Sequence, residues 1–569
     1  MDQEKLSQWK KDWTHMERFF RPDDISIIQD RLVGLEPEHT FFCSMENRDA
    51  RSGGLAAVQK NMPSDSISPF HSRIMDRARV SSTGIEYSVE WGNDRVRVEI
   101  LQSESPNGDG FRELYIGAPG FFEAENPNSD PYVHSDSARR DEFLLRDAMF
   151  FSKAVPAALS KLGFTKNIVL HLNEWQTALM SLTAKDAMLN GTLESIGTIQ
   201  TMHNPFDSPV RVEDLEKLVS TPEMRGRITS KSDFWNAYSA MTAYGIGLGL
   251  VDAPITTVSD SFAVEFTDDP IHTEYFAPHL QGFLSKGVIG VNNGPFVPFS
   301  NQFPERGNHP IKEVAEIKLR NRNNLLEILE DYGPDERFGN LTYGGAPITF
   351  LPDDVPIFMM TGRLDPSQKG FDILLRALGK FEKGEVKTIL TPLAVNKSDL
   401  DFFHQVAEEL DGDLTVFPIR MEEGYMELQT GSTFGVMSSI YEAFGAAIEY
   451  MVNGTPVVAR ATGGLRNQVV HGSNGFLYLE RAENYTLENI RSFFGHSSEV
   501  GKREGNEWSG DMVEALYQSL RIETNLYKNE DSREEYYKMI LNGFKKAGEF
   551  EWKKARQQYF QVSKKIKVI

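Results

Sequence analysis

Two separate series of short apolar runs, each run followed by a helical segment, constrain the fold of this 569-residue chain. Strand, helix, strand order makes neighbouring strands parallel, and a parallel sheet needs helices on both faces. The apolar runs lie near residues 39–45, 167–172, 195–202, 253–259 and 287–291, and then near 356–361, 387–391, 414–418, 433–438 and 456–460. This length exceeds what one hydrophobic core usually organises. The sequence therefore predicts an α/β protein with two doubly wound, Rossmann-like domains and a cleft between them.

A stretch rich in Pro, Asn and Gly interrupts this alternation at residues 292–310 and again at 332–352. We therefore predict five regions along the chain. They are an N-terminal extension at 1–37, an N-terminal Rossmann-like domain at 38–310, an interdomain region at 311–350, a C-terminal Rossmann-like domain at 351–545 and a C-terminal helix at 546–569. We expect the last helix to pack toward the N-terminal domain, and we interpret the lysines near the C-terminus as a solvated helix face.

The charge and the cysteine content restrict the partners of the chain. A net charge of -22 argues against a polyanionic partner, so an anionic ligand must be held locally by a few cations or helix N-termini. Cys43 is the single cysteine, which excludes an intrachain disulfide and fits a reducing compartment. The sequence contains no apolar signal region and no run near the roughly 20 apolar residues of a membrane span. We therefore expect a cytoplasmic protein without a nucleic-acid or membrane partner.

Two glycine pairs follow predicted strands. The first stands in Arg51-Ser52-Gly53-Gly54-Leu55 and the second in Thr462-Gly463-Gly464-Leu465. Paired glycines allow a tight turn and let backbone N–H groups approach a phosphate. Either pair, taken alone, is also consistent with a plain turn between a strand and a helix.

Two cations share a loop after the predicted strand at 356–361. Arg363 and Lys369 lie at its carboxyl end, where ligands bind in open α/β folds. Both side chains can reach a diphosphate and stabilise the charge that develops when a nucleoside diphosphate leaves. Without further context, they are equally consistent with ordinary surface cations.

A third motif is the segment 439–445, which we predict to open a helix that runs to about Asn453. Its small residues expose N–H groups that suit a phosphate. Glu442 and Glu449 are seven residues apart, hence about two turns and on one face of a helix. One carboxylate would accept from sugar hydroxyls and the other from a ribose. The alternative is that Glu442 caps the helix and that Glu449 is solvated.

In this order, the motifs resemble those of the glycogen and starch synthase family over roughly residues 40–560. Residues 51–55 resemble the family's Lys-X-Gly-Gly-Leu, and Asn173-Glu174-Trp175 resembles its His-Asp-Trp. Further similar segments are 199–204 for its strand ending in His-Asn, 256–259 for Thr-Thr-Val-Ser, 292–294 for Leu-Asn-Gly, 362–370 for its Arg and Lys loop, 441–445 for Glu-Pro-X-Gly and 460–465 for Arg-X-Thr-Gly-Gly-Leu.

The resemblance implies a GT-B glycosyltransferase that moves glucose, with retention, from ADP-glucose or UDP-glucose to an α-1,4-glucan. It implies no metal or other cofactor. The donor would bind mainly to the C-terminal domain and the acceptor mainly to the N-terminal one. The implied catalytic residues are His203, Arg363, Lys369 and Glu442. The implied substrate-binding residues are Arg51, Gly53, Gly54, Glu174, Trp175, Asn293, Phe444, Gly445, Glu449, Thr462, Gly463 and Gly464.

Three departures from the family pattern leave the donor base and the acceptor open. Arg51 replaces a lysine, which keeps the charge but changes its geometry. The interval from Arg363 to Lys369 is one residue longer than in bacterial glycogen synthases. The interval from Glu442 to Glu449 is one residue shorter than in many related glycosyltransferases. Alternative functions are a transferase with a small acceptor, such as a sugar phosphate, and a catalytically silent sugar-binding regulator. A dehydrogenase is disfavoured because the glycines at 245–249 lack the dinucleotide fingerprint and lie in a predicted helix.

Overall fold

The computed structural model describes residues 1–104, 110–126, 129–134, 136–220, 241–300, 302, 310–331, 351–393, 400–410, 412–417, 424–496 and 500–567. Its contacts divide the chain into two compact units. The first contains Met1–Val291 and Trp552–Ile569, and the second contains Asn292–Glu551. Each unit has a sheet with parallel strands and packed helices, which confirms the predicted α/β class. Within the described residues, no helix is long and apolar enough to cross a membrane.

The first unit contains a nine-stranded sheet in the order β3-β4-β5-β2-β1-β6-β7-β8-β9. The strands are β1 His39–Cys43, β2 Asp65–Pro69, β3 Ser81–Trp91, β4 Asp94–Glu104, β5 Arg112–Gly117, β6 Ile168–Asn173, β7 Ile196–Met202, β8 Thr256–Thr257 and β9 Ile289–Gly290. β4 pairs antiparallel with β3 and β5, and all other pairs are parallel. Every residue of β6 and β7 is buried, as expected for central strands that helices cover on both faces.

The hairpin of β3 and β4, with the neighbouring β2 and β5, is absent from our sequence prediction. β3 and β4 expose many of their side chains, and Gly92, at a φ of 63°, lies in the short turn that joins them. Antiparallel strands with one solvated face alternate polar and apolar residues, so they contain no continuous apolar run. This alternation is the sequence signal that identifies the hairpin.

The helices of the first unit surround this sheet. They are Gln3–Gln8, Pro22–Val33, Gly54–Asn61, Arg140–Lys161, Trp175–Ala178, Met180–Leu189, Val212–Leu218, Ala243–Leu250, Asp260–Asp268, Gln281–Leu284 and Trp552–Ser563, with a π-helix at Ile271–Phe276. The glycines at 245–249 do lie in a helix, and a Cβ on Gly247 would approach that of Ala178 to 2.7 Å. Their role is therefore close helix packing rather than dinucleotide binding.

Both ends of the chain pack into the first unit. The ammonium of Lys11 lies 2.5 Å from the buried carboxylate of Asp252, which also pairs with buried Lys185. Near the other end, the ring of Tyr559 lies 4.5 Å from the imidazole of His171 on β6. The segments before β1 and after residue 551 thus contribute side chains to the core of this unit.

The second unit contains a six-stranded parallel sheet in the order β12-β11-β10-β13-β14-β15. Its strands are β10 Ile357–Arg363, β11 Lys387–Leu393, β12 Leu414–Val416, β13 Phe434–Met437, β14 Val457–Arg460 and β15 Gly475–Tyr478. The helices are Ile311–Asp331, Phe371–Leu378, Asp401–Glu409, Tyr425–Gly431, Ala447–Val452, Leu465–Gln468, Leu487–Gly495, Glu507–Lys528 and Glu530–Ala547. Sequence reasoning missed only β15 among the six strands.

The division between the units differs from the boundaries that we predicted. Helix Ile311–Asp331, placed in an interdomain region by the sequence, packs on helices Tyr425–Gly431 and Glu530–Ala547 of the second unit. Its Lys318 donates to the carbonyl oxygens of Thr430 and Gly454 at 2.7 and 2.9 Å. The contacts therefore separate the units after residue 291 rather than at 310, because this helix completes the second core. The predicted interdomain region also includes residues 332–350, which lie outside the described residues.

Candidate active site

The second unit brings Lys369 and Glu442 into direct contact. Lys369 lies on the loop that joins β10 to helix Phe371–Leu378, at the carboxyl edge of the sheet. Its Nζ is 2.5 Å from Oε2 of Glu442, and the two side chains are 18% and 8% exposed. Arg363 ends β10 on the same loop, where its guanidinium donates to Oε1 of Gln368 at 3.2 Å. Three of the four predicted catalytic residues therefore belong to one edge of this sheet.

Gly370 fixes the position of this loop. Its φ is +65°, and a Cβ at this residue would lie 2.2 Å from the carbonyl oxygen of Ser438. The hydroxyl of Ser438 also donates to the carbonyl of Gly370 at 2.8 Å. Only glycine permits so close an approach, which anchors the Lys369 loop beside the end of β13.

The prediction that Glu442 and Glu449 share one helix face is wrong. The helix begins at Ala447, and residues 439–446 form a non-helical turn. Gly445 has a φ of +82°, a left-handed conformation that a helix does not accommodate. Glu442 therefore lies on the turn, where its carboxylate accepts from the hydroxyl of Ser439 at 2.9 Å as well as from Lys369.

The second glycine pair supports this turn. The N–H of Gly464 donates to the carbonyl of Glu442 at 2.8 Å, and a Cβ on Gly464 would lie 2.5 Å from Cα of Phe444. The N–H of Thr462 donates to the carbonyl of Arg460 at 2.8 Å, so Thr462 and Gly463 continue directly from β14. The structure therefore places Gly464 against Phe444 and Glu442, a Cβ on Gly445 would lie 2.9 Å from Cγ of Glu442, and Thr462 and Gly463 precede Gly464 on its loop. The Gly464 N–H is used by the protein itself and is not open to a phosphate.

Two further predicted residues of this unit are polar groups, one partly buried and one fully buried. Burial raises the pKa of Glu449 to about 7, although the nearby ammonium of Lys369 lowers it. Asn293 is 1% exposed, and its Oδ1 has no hydrogen-bond partner within the described residues. By its contacts Asn293 belongs to the second unit, although the sequence placed it in the N-terminal domain. A buried oxygen without a donor is costly, so this one is suited to accept from a ligand.

In the first unit, the N–H groups of the Gly-Gly turn are occupied by a side chain of the protein. Oε2 of Glu46 accepts from the backbone N–H of Ser52, Gly53 and Ala56 at 3.1, 3.2 and 3.3 Å. This carboxylate fills the N-terminus of helix Gly54–Asn61, the position that we predicted for a phosphate. The N–H groups of Ser52, Gly53 and Ala56 are therefore used within the protein, as in the plain turn that the sequence also allowed. The side chain of Arg51 is exposed at the start of this turn.

His203 lies directly after β7, beside the end of β6. Its Nε2 is 2.9 Å from Oδ1 of Asn173, and its backbone N–H donates to Oε1 of Glu174 at 3.1 Å. Burial lowers the pKa of His203 to about 3, so the imidazole is neutral at physiological pH. The structure thus joins the predicted residues Glu174 and His203 through a direct hydrogen bond.

Glu174 occupies a strained backbone conformation. Its φ is +67°, which is rare for a residue with a side chain and is found mainly at functional sites. The hydroxyl of Tyr244 lies 3.4 Å from its Oε2, and Tyr132 hydrogen-bonds Glu46 and also interacts with Glu174. Burial, and then these carboxylates, raise the pKa of both tyrosines, which therefore remain hydrogen-bond donors.

Trp175, also predicted to bind substrate, is only 7% exposed at the start of its helix. Sequence reasoning instead missed an exposed ring three residues after His203. Phe206 is 39% exposed, and its ring packs edge-on against Phe276 at a centroid distance of 5.7 Å. Phe276 ends the π-helix Ile271–Phe276, an element that is frequent at functional sites.

Comparison with known proteins shows similarity to starch and glycogen synthases. Residues 39–286 match the family model of the starch synthase catalytic domain, and residues 347–496 match that of the glycosyl transferases group 1. The glycogen synthase of Fervidobacterium nodosum is 25% identical over 439 residues, which are 74% of this chain and 82% of that protein. The glycogen synthase of Bacillus cereus strain Q1 is 26% identical over 473 residues, 78% of this chain and 88% of that protein.

The fold is also that of a solved starch synthase. The catalytic domain of starch synthase IV from Arabidopsis thaliana, solved with ADP and acarbose, matches with a TM-score of 0.67 at 17% sequence identity. The match covers 94% of this chain and 100% of that domain. This likeness confirms the GT-B fold that the motif order predicts.

Proposed function

Because the chain belongs to the glycogen and starch synthase family of GT-B glycosyltransferases, we propose that it extends an α-1,4-glucan. In this proposal glucose moves from ADP-glucose or UDP-glucose to the end of the glucan, with retention of its anomeric configuration. The proposed roles of individual residues follow from the contacts within each unit.

The contact between Lys369 and Glu442 is the observation that carries the proposal. An ammonium held by a single carboxylate can exchange that partner for the diphosphate of the donor, with Arg363 as the second cation of the loop. The exchange releases the carboxylate of Glu442 to accept from hydroxyls of the transferred glucose. Lys369 and Arg363 then stabilise the negative charge that develops as the nucleoside diphosphate departs.

Two acceptors of the second unit complete the proposed donor site. The Oδ1 of Asn293, which has no partner among the described residues, is suited to accept from a sugar hydroxyl. Glu449, with its raised pKa, is proposed to hydrogen-bond the ribose. Residues 444, 445 and 462–464 support the turn that carries Glu442 and contact the donor through their backbone.

The first unit is proposed to contribute His203 and the acceptor site. The carboxylate of Glu174 accepts from the backbone N–H of His203, and the amide of Asn173 lies beside its imidazole. These uncharged and acidic groups suit the hydroxyls of a glucan better than a phosphate. Phe206 supplies an exposed aromatic face for a sugar ring. A glucan is therefore favoured over a sugar phosphate as the acceptor.

The test is to incubate the purified protein with ADP-glucose or UDP-glucose, each labelled in the glucose, with and without glycogen. We expect nucleoside diphosphate release that depends on glycogen, with the label in a precipitable polymer. Label in a small soluble product would identify a transferase with a small acceptor. Donor binding by calorimetry without turnover would identify a silent binding protein, and either result would overturn the proposal.

A further inference from the structure

The hydrogen bonds of Asn173 determine which of its side-chain atoms faces His203. Its Nδ2 donates to the carbonyl oxygens of Cys43 and His171 at 3.2 and 2.9 Å. If the amide were turned over, its oxygen would face these two oxygens and no donor. Asn173 is 1% exposed, so water cannot relieve such a repulsion. The amide therefore points its Oδ1 at Nε2 of His203, at 2.9 Å.

An amide oxygen can only accept a hydrogen bond, so the Nε2 of His203 must carry the proton. A neutral imidazole has one protonated nitrogen, which leaves Nδ1 with a lone pair. Nδ1 makes no hydrogen bond to the residues that the structure describes. The imidazole is therefore an oriented acceptor whose second nitrogen is available to a ligand.

We propose that Asn173 is a positioning residue that holds His203 in the Nε2–H tautomer, so that Nδ1 accepts a hydrogen bond from a substrate hydroxyl. This inference rests on the proposed function, since it assumes that His203 meets the sugar substrate. Asn173 and Glu174 are consecutive, and they fix the ring and the backbone N–H of His203 respectively. The end of β6 thus sets both the orientation and the proton distribution of one histidine.

The groups around His203 in the first unit support a neutral imidazole. They are the carboxylate of Glu174 at its backbone N–H, the imidazole of His171, and Tyr132 and Tyr244 next to Glu174. Burial, with a smaller contribution from His203, lowers the pKa of His171 to about 3. The carboxylate of Glu174 is engaged by an N–H and a hydroxyl rather than by the imidazole ring.

The first test is spectroscopic and needs no activity. In protein labelled with 15N at the histidine rings, the two ring shifts of His203 distinguish the Nε2–H tautomer, the Nδ1–H tautomer and the imidazolium. The signal is assigned by its loss in His203→Gln. We expect the Nε2–H tautomer from pH 5.5 to pH 8. An Nδ1–H tautomer or an imidazolium at pH 7 would overturn the inference, even if the enzyme makes glucan.

The second test is the pH profile of Asn173→Asp. A carboxylate beside Nε2 raises the pKa of His203, so the imidazolium forms as the pH falls and Nδ1 becomes a donor. We expect kcat of the variant to fall about tenfold between pH 8 and pH 6, with a donor KM within about twofold of the wild type. The wild type should show no such acid limb. A variant profile that parallels the wild type would contradict the inference.

Asn474→Asp is the matched control. Asn474 is also buried, donates to the carbonyl of Gln468 at 3.0 Å and accepts from the N–H of Val470 at 2.7 Å. It has no role in the proposed site, so its variant should lose stability without gaining the acid limb. If Asn173→Asp does not fold, the spectrum of the wild type still decides the inference. Failure of the wild type to make glucan would count against the proposed function alone.

Discussion

In the first unit Glu46 and Glu174 accept from backbone N–H groups and from a tyrosine hydroxyl, whereas in the second unit Glu442 accepts from the ammonium of Lys369. Glu46 accepts from three backbone N–H groups, and Glu174 accepts from an N–H and a tyrosine hydroxyl. Glu442 accepts from Lys369 and from the hydroxyl of Ser439. The second arrangement therefore contains a cation that can change its partner.

This difference indicates how the two units divide the proposed reaction. In the proposal, the diphosphate takes over the ammonium of Lys369 from the carboxylate of Glu442, which only the second unit is proposed to offer. A neutral glucan needs hydrogen-bond partners and an apolar surface, which the first unit provides through His203 and Phe206. The predictions below test this contrast, from the largest expected effect to the smallest.

Lys369→Ala should reduce kcat by about 10²- to 10³-fold, because it removes a charge proposed to stabilise the departing diphosphate. The melting temperature should also fall, because the variant leaves the buried carboxylate of Glu442 without its ammonium, so kcat is measured well below the melting temperature of both proteins. Steady-state kinetics with the preferred donor and glycogen measures the effect. Lys383→Ala, at an exposed lysine of the same unit, is the control. A Lys369→Ala enzyme with near-normal kcat would remove this residue from the mechanism.

Glu46→Ala should lower the free energy of unfolding by about 2–3 kcal/mol, because three backbone N–H groups, two of them buried, lose a charged acceptor. Urea denaturation followed by circular dichroism measures this loss. Glu90→Ala, at an exposed strand position, should change stability by less than about 0.5 kcal/mol. Equal stability of Glu46→Ala and wild type would show that the helix N-terminus does not depend on this carboxylate. The difference drawn between the carboxylates of the two units would then be wrong.

Glu449→Gln should stabilise the protein at pH 8 more than at pH 5. The folded-state pKa of about 7 lies above the model-peptide value of 4.5, so the folded protein binds more protons and loses stability as the pH rises through this window. Glutamine cannot ionise, and the variant should gain about 1–2 kcal/mol on the wild type between the two pH values. Thermal unfolding at both pH values measures this gain. Glu330→Gln, at an exposed position of the same unit, should change the stability equally at the two pH values.

Phe206→Ala should raise the KM for glycogen about three- to tenfold and leave the donor KM unchanged, because it removes the exposed aromatic face of the proposed acceptor site. Initial rates over a range of glycogen concentrations at saturating donor provide the measurement. Phe560→Ala removes a ring elsewhere in the first unit that is more exposed than Phe206 and should leave both constants unchanged. A rise in donor KM instead would place Phe206 outside the acceptor site.

The motif order in the sequence predicted the fold, the family and the residues that meet at the carboxyl edge of the second sheet. This succeeded because ligand loops follow strands at that edge, so position along the chain indicates position in the fold. The contact between Lys369 and Glu442 joins residues 73 positions apart, and no local pattern specifies it. The catalytic and binding roles of these residues stay predictions until the variants above are measured.

What the sequence did not predict has specific physical causes. Glu46 reaches a helix N-terminus that begins eight residues later, and no spacing rule distinguishes such a carboxylate from a solvated one. Residues 439–446 contain good helix formers, but Gly445 adopts a positive φ and the tertiary contacts of the turn override that propensity. Asn173 was visible only as part of a motif, because its function depends on where a single amide oxygen points.

The first unit is discontinuous in sequence, since residues from both ends of the chain complete its core. During synthesis, all of the second unit leaves the ribosome before Tyr559 becomes available to pack beside His171. The core around the strand that ends in Asn173 is therefore completed only by residues that are synthesised after the whole of the second unit.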